Sequence, residues 1–343
     1  MKKTKAGLIF LILFIMFFTM PTRGIASLEN SFPIFKDKVH LENFIKYEVE
    51  HINGRIGIYI KHIESGDVVS LRDNETFQLA SVFKIPVLLT LFKQIYEGKL
   101  SLDDRIILSQ GMKTYGSGLL SSMKSGLNLS IYDLALLMMA SSDNTATDIL
   151  FQIITRESIM SFIKDLGLKS TIIDYDTRAL ILDYLGLDPN RRLTIPELDH
   201  LPGSFWIDQV RIERQAAFDK SVHNTSTPRE IAFLLEKCVN GEIINKETSN
   251  EILEIMKHHT GAEIILRYLP MTTEIARKGG SLARSGENTV LNDVGVIWLP
   301  NNAGILIICL FGNELKEVHY ELKDKLGRIA RAAYDYFLNT QNK

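Results

Sequence analysis

Residues 79–89 of this 343-residue chain read LASVFKIPVLL and place a serine and a lysine three positions apart, Ser81 and Lys84. If the apolar run after Ser81 is helical, the hydroxyl and the amine lie on one face, one turn apart. A serine hydroxyl becomes an effective nucleophile when a neighbouring base takes its proton. Lys84 can be that base only if its pKa falls, which burial would cause. The stretch therefore predicts a nucleophilic serine with a lysine base at the start of a buried helix.

The S-x-x-K pattern is short and occurs twice more, as SSMK at residues 121–124 and SFIK at residues 161–164. An isolated match fits a solvated serine and lysine on a helix surface equally well. Ser81 is preferred because it opens a long apolar run and because two further motifs follow it in order.

The second motif, Ser142-Asp143-Asn144, lies between two apolar stretches of helical character. All three residue types cap helices, so one interpretation is a helix break with an N-cap. The other is functional, with a hydroxyl that relays a proton and an amide that holds a substrate carbonyl.

The third motif, RKGGS at residues 277–281, follows a short predicted strand. Adjacent glycines are typical of a tight turn. They also fit a strand edge that a substrate backbone approaches closely, with Lys278 attracting a carboxylate.

Together the three motifs resemble those of the class A β-lactamase family, penicillin-recognising serine hydrolases whose pattern is S-x-x-K, then S-D-N, then K-T-G. Ser81 and Ser142 are 61 residues apart, and Ser142 and Lys278 are 136 apart. The resemblance covers roughly residues 50–335. It extends to residues 142–149 (SDNTATDI), 225–231 (TSTPREI) and 292–297 (NDVGVI).

The resemblance implies a catalytic role for three side chains. Ser81 is the acylated nucleophile, Lys84 is the general base or its partner, and Ser142 passes the proton to the leaving nitrogen. No metal and no cofactor is implied.

The resemblance also implies a substrate-binding role for four residues. Asn144 holds the side-chain amide of the substrate, Lys278 draws its carboxylate, and Gly280 lets it lie close. The backbone N–H of Ser281, with that of Ser81, forms the oxyanion hole.

The sequence departs from the family at two places. The middle residue of the third motif, normally Thr or Ser, is Gly279, so a hydroxyl for the substrate carboxylate is missing unless Ser281 or Ser285 replaces it. The E-x-x-L-N segment, whose Glu activates the deacylating water, is absent between residues 171 and 224.

Two glutamates in that region are candidates for the missing base. Glu213 is the nearer to the helix at Thr225, but Ala216 and Ala217 stand where Leu and Asn would be expected. Glu197 is more distant. For either one, a solvated surface carboxylate remains the alternative interpretation.

Strand patterns occur at both ends of the chain and helical patterns fill the middle. This predicts an α/β fold of the α+β kind, β-lactamase/transpeptidase-like, with one antiparallel sheet built from N- and C-terminal strands and flanked by helices. The predicted α/β lobe covers residues 35–78 and 258–340, and an all-helical lobe covers residues 79–257. The last helix is predicted over residues 314–338.

Residues 1–26 have the pattern of a secretory signal peptide: a basic start, an apolar run at 8–20 and small residues before Ser27. We predict an exported protein, periplasmic or secreted, cleaved near Ala26, with residues 27–343 as one hydrolase domain. A retained N-terminal anchor is the alternative. No cysteine lies near the junction, which excludes a cysteine-linked lipid anchor there.

Without residues 1–26 the chain has 35 basic and 41 acidic residues, a net charge of −6 that gives no sign of a nucleic-acid partner. We expect a monomer. Cys238 and Cys309 are predicted to be two separate buried thiols rather than a disulfide. The pair His258-His259 is predicted to face solvent rather than to bind a metal.

The predicted function is opening of β-lactam amides through an acyl-enzyme on Ser81. One alternative is a D,D-peptidase or penicillin-binding protein that acts on cell-wall peptide and deacylates slowly. A second alternative, from another class, is a non-catalytic ligand binder on the same fold. The natural substrate stays open.

Overall fold

The computed structural model describes residues 32–202, 221–261, 264–284, 287–316 and 319–340. In chain order its main elements are α1 (Lys38–Glu50), β1 (Arg55–His62), β2 (Val68–Leu71), β3 (Phe77–Gln78), α2 (Lys84–Tyr96), β4 (Arg105–Ile107), β5 (Asn128–Ser130), α3 (Ile131–Ala140), α4 (Asn144–Ile154), α5 (Arg156–Asp165), α6 (Thr177–Tyr184), α7 (Ile195–Asp199), β6 (Thr225–Ser226), α8 (Pro228–Val239), α9 (Lys246–Lys257), β7 (Glu274–Arg284), β8 (Glu287–Trp298), β9 (Ile305–Leu315) and α10 (His319–Thr340).

The central sheet draws its strands from both ends of the chain, in the order β2-β1-β9-β8-β7, and every pairing in it is antiparallel. Strand β9 lies in the middle and is buried along nearly its whole length. A strand covered on both faces is apolar throughout rather than alternating, and the sequence ILIICLF of β9 fits this rule. The predicted fold class is confirmed. Strand β7, which carries the third motif, lies at one edge of the sheet.

Helices cover both faces of this sheet. Apolar residues of α1 and α10 form one core cluster with one face. The opposite face shares a second, larger cluster with α2 and the other helices from the middle of the chain. Helix α2 is buried from Lys84 through Phe92, as expected for a helix that is apolar all round. This burial carries Lys84 into the interior.

Helix boundaries were predicted less well than the elements themselves. The last helix does not begin at residue 314, because β9 continues through Glu314 to the buried Leu315, and α10 starts at His319. The stretch between α2 and α3 contains the short antiparallel pair β4 and β5. The prediction of two separate thiols is confirmed, since Cys238 and Cys309 are free and buried.

The predicted signal peptide, residues 1–26, lies outside the described residues. Among the helices that are described, none combines the length and the apolar composition needed to cross a membrane.

Candidate active site

Ser81 lies in the 3-10 turn Ala80–Phe83, immediately before α2 rather than within it. Ala80 has a φ of +45°, in the left-handed region that residues with a side chain rarely adopt. Such strain persists only where the surrounding structure enforces it, and it is common at functional sites. The Ser81 side chain is half-buried, and none of the described residues hydrogen-bonds its Oγ. The hydroxyl is therefore partly open to a ligand.

Strands β7 and β8 hold this turn in place. Asn292 donates from Nδ2 to the carbonyls of Gln78 and Leu79, at 2.9 Å each. A Cβ atom on Gly280 would lie 2.8 Å from the Leu79 carbonyl oxygen and 2.9 Å from the Ser81 nitrogen, so only glycine fits there. Gly280 thus makes room for the Ser81 turn because it has no side chain. The sequence had indicated a different reason for this glycine, the close approach of the substrate.

Lys84 is the first residue of α2 and is fully buried. Its Nζ donates to the Ser142 carbonyl at 2.7 Å, to Ser142 Oγ at 3.1 Å and to Asn144 Oδ1 at 2.8 Å. Burial lowers the pKa of Lys84 to about 7, although the carboxylates of Asp148 and Asp143 oppose that shift. A substantial fraction of this amine is therefore neutral at neutral pH, as a general base must be.

Ser142 Oγ lies between two lysine side chains. Lys278 Nζ donates to it at 3.0 Å and to the Gly279 carbonyl at 2.7 Å. Lys278 is fully buried, and burial together with the positive charge of Lys84 holds its pKa well below the usual value. Two ammonium groups on one hydroxyl repel each other, so the pair favours states in which at least one is neutral. Ser142, itself strained at a φ of +56°, can exchange protons with either amine.

The capping interpretation of the second motif is confirmed for its middle residue, Asp143. Asp143 is the N-cap of α4 and accepts from the Ala146 nitrogen at 2.9 Å. Its other oxygen accepts from the nitrogens of Leu119 and Leu120 at 2.7 and 2.9 Å. The cap therefore also anchors the loop that precedes it in sequence, while its two neighbours in the motif face Lys84.

Asn144 is buried, and its side-chain amide has an internal partner at each end. Oδ1 accepts from Lys84, and Nδ2 donates to the Tyr115 carbonyl at 3.0 Å. An amide nitrogen has two protons, and only one Nδ2 proton has a hydrogen-bond partner among the described residues.

Replacing Gly118 with alanine is expected to destabilise the loop anchored on Asp143. Gly118 has a φ of +103°, and a Cβ there would fall on the side chain and backbone of Asp143. A left-handed alanine costs about 1–2 kcal/mol, and overpacking adds roughly 1–3 kcal/mol. Gly126→Ala is the matched control, because Gly126 has a φ of +98° and open space around it. Chemical denaturation measures the free energy of unfolding. An equal decrease of this free energy in the two variants would contradict the contact with Asp143.

Helix α6 docks on α4 one turn beyond Asn144. Asp148 accepts from the backbone nitrogens of Thr177 and Arg178 at 2.6 and 3.1 Å, and from Thr114 Oγ1 at 2.7 Å. This buried carboxylate therefore holds the first turn of α6 through its hydrogen bonds.

In the part of the chain that is described, no carboxylate hydrogen-bonds Lys84. Glu197 is exposed and caps α7 at Thr194, so it is a surface carboxylate. Glu213 lies outside the described residues. The two other S-x-x-K lysines, Lys124 and Lys164, are exposed, in contrast to Lys84.

The prediction that both adjacent histidines face solvent is wrong for one of them. His258 is exposed, but His259 is buried, with Nδ1 2.7 Å from the Met139 carbonyl and Nε2 3.0 Å from the Gly279 nitrogen. Burial, with the positive charge of Lys278, lowers the pKa of His259 to about 3. The burial of His259 does not follow from the sequence, because a histidine just after a helix belongs to no periodic apolar pattern that would place it inside. The described ranges hold no group of three or more His, Cys, Asp or Glu that could bind a metal ion.

The chain is similar to known proteins over most of its length. The sequence model of the beta-lactamase enzyme family matches residues 40–337. Beta-lactamase VEB-1 of Pseudomonas aeruginosa is 26% identical over 308 residues, covering 87% of this chain and 89% of the relative. The imipenem-hydrolyzing beta-lactamase of Enterobacter cloacae is 27% identical over 286 residues, covering 82% and 85%.

Solved structures show the same fold. The TLA-3 extended-spectrum beta-lactamase superposes with a TM-score of 0.70 at 21% identity, covering 88% of this chain and 100% of that chain. PBP-A superposes with a TM-score of 0.68 at 20% identity, covering 90% and 99%. The β-lactamase/transpeptidase-like fold predicted from the sequence is confirmed.

Proposed function

The chain belongs to the beta-lactamase enzyme family, and from this premise we propose that it is an exported class A serine hydrolase that opens β-lactam amides through an acyl-enzyme on Ser81. The family and its relatives support a hydrolase that acts on β-lactams. The observation that carries the finer proposal is the convergence of the three motifs on one atom. Ser142 Oγ lies 3.1 Å from Lys84 Nζ and 3.0 Å from Lys278 Nζ.

In the proposed acylation, neutral Lys84 takes the proton of Ser81, directly or through Ser142, and Ser81 Oγ attacks the amide carbonyl. The amide C–N bond breaks, and Ser142 delivers a proton to the leaving nitrogen. The backbone N–H groups of Ser81 and Ser281 stabilise the oxyanion. The close approach of Gly280 to the Ser81 nitrogen supports this pairing, because it places the start of Ser281 beside the turn.

For substrate binding, we propose that Asn144 donates its remaining Nδ2 proton to a carbonyl of the substrate. Lys278 attracts its carboxylate, whose negative charge would raise the pKa of this lysine again. Gly279 adds no hydroxyl to this carboxylate site, so affinity for anionic substrates is expected to be weaker than where Thr or Ser stands there.

The test is a time course of labelling with a fluorescent penicillin. A transient label supports β-lactam hydrolysis, and a persistent label supports a D,D-peptidase or penicillin-binding protein with slow deacylation. No label at any time identifies a non-catalytic binder and contradicts the proposal.

We predict that the wild-type protein turns penicillins over weakly, with a burst followed by a slow steady state. The ester on Ser81 is shielded while the opened lactam stays tethered, so water must be both placed and deprotonated. A carboxylate base contributes about 10²–10⁴-fold to such a step, and none of the described residues provides one at Lys84. Stopped-flow hydrolysis of benzylpenicillin measures the burst. Rapid turnover without a burst would show that this expectation is wrong.

If one glutamate does serve as the deacylating base, we propose Glu213. Glu213→Gln should then lengthen the lifetime of the acyl-enzyme and leave the acylation rate unchanged. Glu197→Gln is the matched control, because Glu197 is exposed and caps α7. An unchanged lifetime in Glu213→Gln would remove this residue from the mechanism.

We also propose that the signal peptide is cleaved near Ala26, which leaves a monomeric domain without a membrane anchor. We further propose that this domain divides into an α/β lobe of about residues 35–78 and 258–340 and an all-helical lobe of about residues 79–257. The expected partners are small β-lactams or cell-wall peptides.

A further inference from the structure

The buried ring of His259 connects the end of α3, just before the second motif, with Gly279 of the third motif. A carbonyl only accepts hydrogen bonds, so Nδ1–H donates to the Met139 carbonyl and Nε2 is left to accept the Gly279 N–H. Met139 lies near the end of α3, three residues before Ser142. Beside the ring, the Thr260 nitrogen donates to the Ala140 carbonyl at 3.0 Å. The segment after α9 is thus fastened to the residues that lead into the second motif.

The hydrogen bond to Gly279 lies on the open edge of β7. In an antiparallel pair, residues whose N–H and C=O point to the partner strand alternate with residues that point away from it. Gly279 is paired with Asp293, but its N–H bonds His259, so it points away from β8. Two residues further, Ser281 is paired with Leu291 and points the same way. His259 therefore binds one outward-facing N–H of this edge, that of Gly279, and the next outward-facing N–H is that of Ser281.

Gly279 is the residue whose backbone most needs to be held. A glycine loses more conformational freedom on ordering than any other residue. Its N–H is held by His259 at 3.0 Å, and its C=O by Lys278 Nζ at 2.7 Å. Both soft dihedrals of Gly279 lie between these two hydrogen bonds. Loss of the first would free the peptide that joins Gly279 to Lys278.

We propose that His259 is a positioning residue for the acyl transfer, an inference that rests on the proposed function. By accepting the Gly279 N–H it fixes the outward peptide groups of β7, so that Lys278 faces Ser142 and the Ser281 N–H faces the Ser81 turn. His259 restrains the backbone of residue 279 from outside, because a glycine has no side chain whose packing could restrain it.

Two substitutions separate the two hydrogen bonds. In His259→Gln the amide oxygen can reach the place of Nε2 and accept the Gly279 N–H, but the donor to Met139 is lost. In His259→Asn the amide nitrogen can take the place of Nδ1 and donate to Met139, but the acceptor for Gly279 is lost. His258→Asn, at the exposed neighbouring histidine, is the matched control.

The measurement is the rate constant of penicillin acylation per folded protein, taken well below each variant's melting temperature. His259→Asn is expected to acylate at least about 10-fold more slowly than wild type, since small displacements of catalytic groups cost up to about 10²-fold. His259→Gln is expected to stay within about twofold to threefold of wild type. The amide of Gly279 should exchange rapidly with deuterium in His259→Asn and slowly in His259→Gln.

A merely structural histidine gives a different result, in which both variants melt lower and acylate alike. Equal acylation rates, fast or slow, overturn the positioning role while the proposed function stands. A wild-type protein that takes no label contradicts the proposed function, and the positioning role falls with it. If His259→Asn does not fold, His259→Ser replaces it, because a serine hydroxyl is too short to reach the Gly279 nitrogen.

Discussion

Replacing Ser81 with alanine is expected to abolish covalent labelling by a penicillin altogether. The substitution removes the oxygen that forms the acyl bond, so no slower route through the same site remains. Mass spectrometry of wild-type protein incubated with a penicillin should place the adduct on the peptide that contains Ser81. Ser121→Ala and Ser161→Ala, the serines of the two other S-x-x-K matches, should label as wild type does.

The fold should tolerate this change. Ser81 is half-buried, and none of the described residues hydrogen-bonds its Oγ, so alanine leaves no buried polar group without a partner. Thermal denaturation of Ser81→Ala and wild type should therefore give melting temperatures within a few degrees of each other. An adduct found on another serine, or full labelling of Ser81→Ala, would show that the nucleophile has been misassigned.

Lys84→Arg is expected to slow acylation by at least about 10²-fold, the lower end of what general-base catalysis contributes. Arginine keeps the positive charge but does not deprotonate in proteins. The proposed mechanism needs the neutral amine of Lys84. Burial makes this form available at neutral pH because it lowers the pKa of Lys84 to about 7. Lys93→Arg, on the surface side of the same helix, is the control.

The pH dependence of wild-type acylation provides an independent test of the same role. Lys84 is protonated below its pKa and neutral above it, so the acylation rate should rise tenfold per pH unit below about pH 7. Above that value the rate should level off. An acylation rate that is flat between pH 5 and pH 8 would contradict a neutral Lys84, as would near-normal acylation by Lys84→Arg.

Arginine is larger than lysine, so misfolding must be separated from lost chemistry. Lys84 is fully buried against Ser142 and Asn144, and an oversized side chain there can shift both. Lys84→Met, which is close to lysine in volume and has no base, should lose acylation to a similar extent. Retained labelling by the methionine variant would rule out a base at this position whatever the arginine variant does.

Much of the secondary structure could be predicted from local sequence, because helix caps and helix starts depend on residue preferences within a few positions. Ser130 caps α3 and a proline occupies the first turn of α8, both in keeping with local residue preferences. The end of β9 was misjudged because its polar residues at 313 and 314 resemble the start of a helix. The pairing of residue 313 in the sheet depends on Arg55 of β1, which lies more than 250 residues away in the sequence.

By itself the sequence determined the family, the order of the three motifs and the serine and lysine on which the proposal depends. Only the tertiary structure decided which S-x-x-K lysine is buried, and hence which one has a lowered pKa. It also decided that Ser142 Oγ lies between two lysines, that Gly280 makes room for the Ser81 turn, and that His259 holds Gly279. The physical reason is common to all of these: burial and hydrogen bonds between segments up to about 200 residues apart arise from packing, and no local pattern in the chain encodes them.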